Sequence, residues 1–200
     1  MACCDADGLF TMIETGYAGR NSDGGIFRAS AMKHWITHAG LDITPPSPLK
    51  YDENGRPFPY YFVADEAFPL SRYLMRPYAK KILNNLKRIF NYRLSRGRKT
   101  IECRFGMAAE KFSVLNGPIR CRDPEVLDIK AACVLHNYGR KREGLAYKRR
   151  HFEDCETTTS NIYVIKPPAQ NITISTNSPA TALRNLANYF VTPRASLPWQ

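Results

Sequence analysis

The sequence has no run of eighteen apolar residues, so no segment is expected to cross a membrane as a helix. Its first nine residues, Met1 to Leu9, contain two Cys and two Asp but no Lys or Arg, so they are not expected to be a signal or transit peptide. The six cysteines stand at 3, 4, 103, 121, 133 and 155 and form no CxxC pair, so a zinc-finger type of site is not expected. Nothing in their spacing points to a secreted disulfide framework. Cys133 lies in an apolar run and reads as a small buried hydrophobe. There is no internal repeat. What remains is a chain of 200 residues, 44% hydrophobic, with 11 Tyr and 10 Phe, enough for a real core. A nuclear protein is expected, with the cytoplasm as the alternative.

Acid is also scarce where base is dense. The net charge is +11, from 29 Lys and Arg against 18 Asp and Glu. Between Arg72 and Arg104 there are eleven basic residues and one acid, Glu102. A field of that sign attracts a polyanion and strengthens non-specific nucleic-acid binding. The candidate contacts are Lys80, Lys81, Lys87, Arg88, Arg93, Arg96 and Arg98. Tyr78, Phe90 and Tyr92 are interleaved with them, either to pack on sugar and bases or to anchor the basic segment to its own domain; anchoring is the preferred reading.

Along the chain, Asp5-Ala6-Asp7-Gly8 is a turn signal between the end of one strand and a second at Leu9–Ile13. The glycine-rich loop 16–25 contains Ser22 and Asp23, either of which suits a helix cap, and a helix is expected over Ile26–Ala39. Residues 44–59 hold five Pro and one Gly and read as a surface loop. Tyr60–Ala64 reads as a buried central strand. Lys80–Asn91 is expected to be partly helical, Ser95–Arg98 a turn or helix start, and Lys99–Phe112 a helix. Asp123-Pro124 signals the start of a helix running to about Tyr138, apolar nearly all round and so expected to be deeply buried. Residues 155–178 are polar and proline-containing, with a single β-prone patch at 162–165, and are expected to be disordered. A short amphipathic helix is expected at Ala182–Phe190.

Asp65 follows the expected strand, and Glu102 lies on the expected late helix, 37 positions on. Paired carboxylates can share hard divalent cations, and two such ions can activate a nucleophile and stabilise the leaving oxygen of a phosphodiester. Each acid also has an ordinary role to fill: a turn or cap for Asp65, an ion pair with Arg98 four residues earlier for Glu102, and helix capping for Asp23. Glu66 is the substitute for Asp65 if strand alternation turns it toward the site. His136 lies near enough to Cys133 in sequence for a nucleophilic pair, but a core histidine is the plainer reading.

Taken together, the stretches CDADGLF (4–10), GYAGRNSDGGIFRAS (16–30), PPSPL (45–49), YYFVADEAFPLSRYLMRPY (60–78), RIFNYRLSRGRKTIECRFGMAAEKFSVL (88–115) and AACVLHNY (131–138) resemble the nuclease domain of Harbinger-type transposases and their host-derived relatives, as does the tail NYFVTPRASLPWQ (188–200). The resemblance implies an α/β fold, a partial RNase-H-like mixed sheet flanked by helices and lacking the first strand. It implies catalytic and metal-binding roles for Asp65, Glu102 and Asp23 with Mg²⁺ or Mn²⁺, DNA as substrate and a Myb-like protein as partner. The family's first-strand Asp has no counterpart here, which implies weaker metal binding. The expected organisation is a nuclease part at 1–140, a divergent linker at 141–180, and a short helix and tail at 181–200. The alternative is a non-catalytic basic DNA-binding or interaction protein derived from a transposase.

Overall fold

The computed structural model describes residues 1–17, 20–37, 41, 43–50, 52, 54–55, 57–81, 83–116, 127–147 and 178–197. The elements are β1 (Ala2–Cys4), β2 (Phe10–Ile13), α1 (Asp23–Ala29), α2 (Ala31–Thr37), β3 (Phe62–Val63), β4 (Leu74–Met75), α3 (Asn85–Lys111), α4 (Leu127–Glu143) and α5 (Pro179–Phe190). This is a mixed α/β arrangement: β1 and β2 pair antiparallel, β3 and β4 pair parallel, and helices accompany both small sheets. Contacts group the chain into two units, Met1–Met32 with Arg98–Thr159 and Lys33–Gly97 with Ser160–Gln200. The expected starts of the 123–138 helix and the whole of the 155–177 stretch lie outside the described residues.

In the first unit the hairpin turns where the sequence predicts. Asp5 accepts from Gly8 and Leu9, and Gly8 adopts φ +78, a conformation that L side chains rarely take. The β1–β2 hairpin does not stand alone. Phe10 packs with Ala108 of α3 and Cys133 of α4, and the Asn137 amide both accepts from the Phe10 N–H and donates to its carbonyl, each at 2.8 Å. A lone pair of strands needs such a support to persist in water.

The helix expected over 26–39 is two helices with a break at Ser30. Ser22 caps α1, its hydroxyl accepting from Gly25. The Ser30 hydroxyl donates to the Phe27 carbonyl and ends that helix. Glu14 then caps α2, its carboxylate accepting from the Ala31 and Met32 amides at 2.9 and 3.1 Å. A carboxylate on the first amides of a helix satisfies orphan donors and suits the helix dipole.

In the second unit, Met75, Phe90, Leu94, Leu183, Leu186 and Ala187 form the core, so α3 and α5 share one apolar seam. The buried central strand expected at Tyr60–Ala64 is instead a two-residue strand with Tyr60 and Val63 exposed. Among the described residues it pairs only with β4, and the chain leaves it at once for the Asp65 turn, so no second sheet neighbour covers it.

α3 is one helix of 27 residues, roughly 40 Å long at about 1.5 Å per residue, and runs unbroken through Ser95–Arg98, where a turn or a helix start is expected. Asn84 caps it: its side chain accepts from Lys87 and its carbonyl from Arg88. Gly97 sits mid-helix with open space where a Cβ would go, whereas a Cβ at Gly139 of α4 would lie 2.5 Å from the Tyr147 ring. Two glycine-to-alanine substitutions in helices are therefore expected to differ in sign. Gly97→Ala should stabilise the protein by about 0.5–1 kcal/mol. Gly139→Ala should destabilise it by about 1–3 kcal/mol through overpacking. Chemical denaturation of both variants measures this, and a shared sign would contradict it.

Candidate nucleic-acid and metal-binding site

Asp65 lies two residues past β3 and shapes a turn. Its Oδ1 accepts from the Ala67 N–H at 2.8 Å, and Arg76 donates to the Glu66 and Phe68 carbonyls at 3.2 Å each, fastening the same turn to the end of β4. Arg76 has no place in the sequence reading, because nothing in its spacing shows that it folds back ten residues. Glu66 faces Lys80 at 3.9 Å, on an exposed surface. Since β3 ends at Val63, strand alternation does not decide between Asp65 and Glu66.

Glu102 stands on α3 with Arg98 at 2.6 Å, the ion pair that the i to i+4 spacing predicts. Both side chains are partly exposed, so the pair adds little stability. Asp23 is exposed in the first turn of α1, where its charge suits the helix dipole while Ser22 makes the cap. Asp23 and Glu102 belong to the first unit and Asp65 to the second. Asp65 and Glu102 thus fill their ordinary local roles, the turn and the ion pair, whereas the capping role open to Asp23 falls to Ser22. Among the described residues no group of three His, Cys, Asp or Glu side chains gathers to hold a metal ion.

The basic residues divide by environment. Arg93 is drawn inward: its guanidinium donates to the Ala195 carbonyl and lies 4.5 Å over the Phe190 ring. Lys87 sits over Tyr78 at 5.4 Å. Lys80, Lys81, Arg88 and Arg96 are exposed. Phe90 is fully buried and Tyr78 packs edge-on against it, so these two anchor the basic segment. Tyr92 is 48% exposed, between Arg88 and Arg96 on the same helix face, and its hydroxyl lies 3.5 Å from Arg96. The i, i+4, i+8 spacing of Arg88, Tyr92 and Arg96 carries that information once α3 is known to be continuous.

Cys133 and His136 are both buried, but they do not form a nucleophilic pair. Burial raises the Cys133 thiol pKa and lowers that of His136. The His136 ring stands edge-on to Phe10 and Tyr147, with Nε2 3.4 Å from the Gly8 carbonyl. Nδ1 has no partner among the described residues. Cys3 and Cys4 are pushed up to about 11, chiefly by burial, so they stay protonated at neutral pH. Cys103, beside Glu102 in sequence, is disulfide-bonded, a linkage that the cysteine spacing does not announce.

Residues 1–137 match the DDE superfamily endonuclease family. The chain belongs to the DDE superfamily endonucleases. The match spans both acids of the 65/102 pair, Asp23 and the whole of α3. No curated protein and no solved structure is similar enough to this DDE superfamily endonuclease domain to match it. In this domain, Asn137 is the last matched residue, and it is the one that grips β2.

His136 gives the matched region a pH dependence. Burial lowers its pKa below the ordinary 6.5, outweighing the Gly8 hydrogen bond, and Arg104, Arg140 and Lys111 lower it further. The folded state therefore holds it neutral, while the unfolded chain takes up a proton below about 6.5. Its contribution is complete above that value and is lost as pH falls through the lower folded value. Denaturation midpoints are expected to stay level from pH 8 to 7 and fall from pH 6.5 to 5, with a shallower fall in His136→Gln. An equal slope in both proteins would contradict this.

Proposed function

We propose that this DDE superfamily endonuclease domain is a divalent-metal-dependent nuclease of the Harbinger transposase type, acting on DNA phosphodiester bonds. Its fold in this reading is partly RNase-H-like. Asp65, Glu102 and Asp23 are the proposed ligands of Mg²⁺ or Mn²⁺. The observation that carries the reading is the exposed face of α3. Arg88 and Arg96 flank an exposed Tyr92, a pattern suited to phosphates with a stacking surface between them. Lys80, Lys81, Lys87 and Arg98 add charge nearby in sequence. Arg93 serves this surface indirectly, by holding α3 to Phe190 and Ala195. A nuclear location and a Myb-like partner belong to the same proposal.

A second reading is favoured by the absence of a three-ligand group among the described residues. It is a non-catalytic DNA-binding protein of transposase descent. Nicking of supercoiled DNA separates the two. The nuclease reading expects Mn²⁺-dependent nicking that Glu102→Ala lowers at least about a hundredfold, as loss of a metal-activating carboxylate should. Equal nicking by both proteins would reject Glu102. Metal-independent binding that survives Asp65→Ala, without nicking, would favour the second reading. Under either reading, replacing Lys80, Lys81, Lys87 and Arg88 by Ala should weaken DNA binding and flatten its salt dependence. Unchanged binding would remove the basic surface from the account.

A further inference from the structure

α4 has two apolar sides. Ala132, Cys133 and His136 face inward and are buried. On the opposite side Asp128, Ala131, Leu135, Tyr138 and Arg142 are all exposed and recur at intervals of three, four, three and four, the seam spacing of a helix that pairs with another helix. Val134 flanks the seam. Val134, Leu135 and Tyr138 are 61%, 52% and 60% exposed, which makes this a contiguous apolar patch rather than one stray side chain. It explains why α4 reads as apolar all round while only half of it is covered.

The ends of the seam select its occupant. Asp128 lies in the first turn and Arg142 in the last, with the Arg142 Nη1 donating to the Tyr138 hydroxyl at 3.1 Å. We infer that a second copy of this chain docks here, α4 against α4 in antiparallel order, with the two-fold axis close to Leu135. Antiparallel order sets Asp128 of each copy toward Arg142 of the other and opposes the helix dipoles. Parallel order would stack Asp on Asp and Arg on Arg. Leu135 and Tyr138 fill the centre, and Ala131 is small enough to let the helices approach. DNA is a poor occupant, because large apolar side chains form the middle and an acid one end. One helix per copy buries less than roughly 1,200 Å², so the dimer is expected to be weak, with a dissociation constant on the order of micromolar.

Sedimentation equilibrium of the full chain, over roughly 1 to 100 µM, tests the pairing at the affinity expected for so small an interface. The average mass should rise from the monomer toward twice that value. Leu135→Glu should remain monomeric at every concentration, with unchanged circular dichroism and thermal midpoint. Asp128→Arg and Arg142→Asp should each weaken association about tenfold, since each loses two symmetry-related ion pairs, and the double variant should restore it. A wild-type monomer throughout would overturn the inference. So would association that survives Leu135→Glu, or a double variant that stays weakened. A lowered thermal midpoint in monomeric Leu135→Glu would show that the chain's own residues cover the seam, and would overturn it as well.

Discussion

The first unit depends on one amide. Asn137 holds the backbone of Phe10 from both sides, so α4 supplies the hydrogen bonds that a third strand would otherwise give to β2. The partners are 127 residues apart in sequence. Each half-buried bond is worth only about 1 kcal/mol when made, but leaving the strand's N–H and C=O unmet costs about 1–3 kcal/mol each. The neighbouring His136 closes the same corner against Gly8, and Tyr147 closes it from the far side by way of Gly139. The packing of Phe10 against Ala108 and Cys133 then follows from a strand already held in register.

The second unit turns on a different economy, the division of labour among cations. α3 needs one face for Met75, Leu183 and Leu186, and the side chains it buries there include Phe90 and Leu94. Arg93 lies at the margin of this seam and is spent on Phe190 and the Ala195 carbonyl. Its pKa is lowered by burial, which marks a charge taken partly out of water. Arg88 and Arg96 are exposed on the same helix. A count of basic residues in sequence treats these arginines alike; the packing does not.

Much of this was legible beforehand. The Asp5–Gly8 turn, the Ser22 cap, the Arg98–Glu102 pair and the apolar positions Leu183 and Leu186 each rest on local rules, and the structure has them. The failures share a cause, which is dependence on distant partners. Tyr60–Ala64 has the composition of a buried strand, but burial needs neighbours on both sides, and β3 has β4 alone among the described residues. α4 has the composition of a buried helix, but one of its faces remains uncovered. Ser95–Arg98 reads as a turn or a helix start, yet one helix runs through it, and a single glycine at 97 costs only about 1 kcal/mol. The roles of Arg76, Glu14 and Asn137 are not legible from local rules, because each acts on backbone groups eight or more residues away. The three acids were legible as candidates, and the local turn, ion pair and helix end they also serve were legible with them.

The nuclease reading rests on Asp65 and Glu102 binding the same cation. Paramagnetic broadening by Mn²⁺ measures that directly, without requiring turnover. At a single equivalent of Mn²⁺, the amide signals flanking Asp65 and those flanking Glu102 should broaden together, recover on addition of excess Mg²⁺, and remain sharp throughout in Glu102→Ala. Broadening at one acid only, or at neither, would contradict the proposed site.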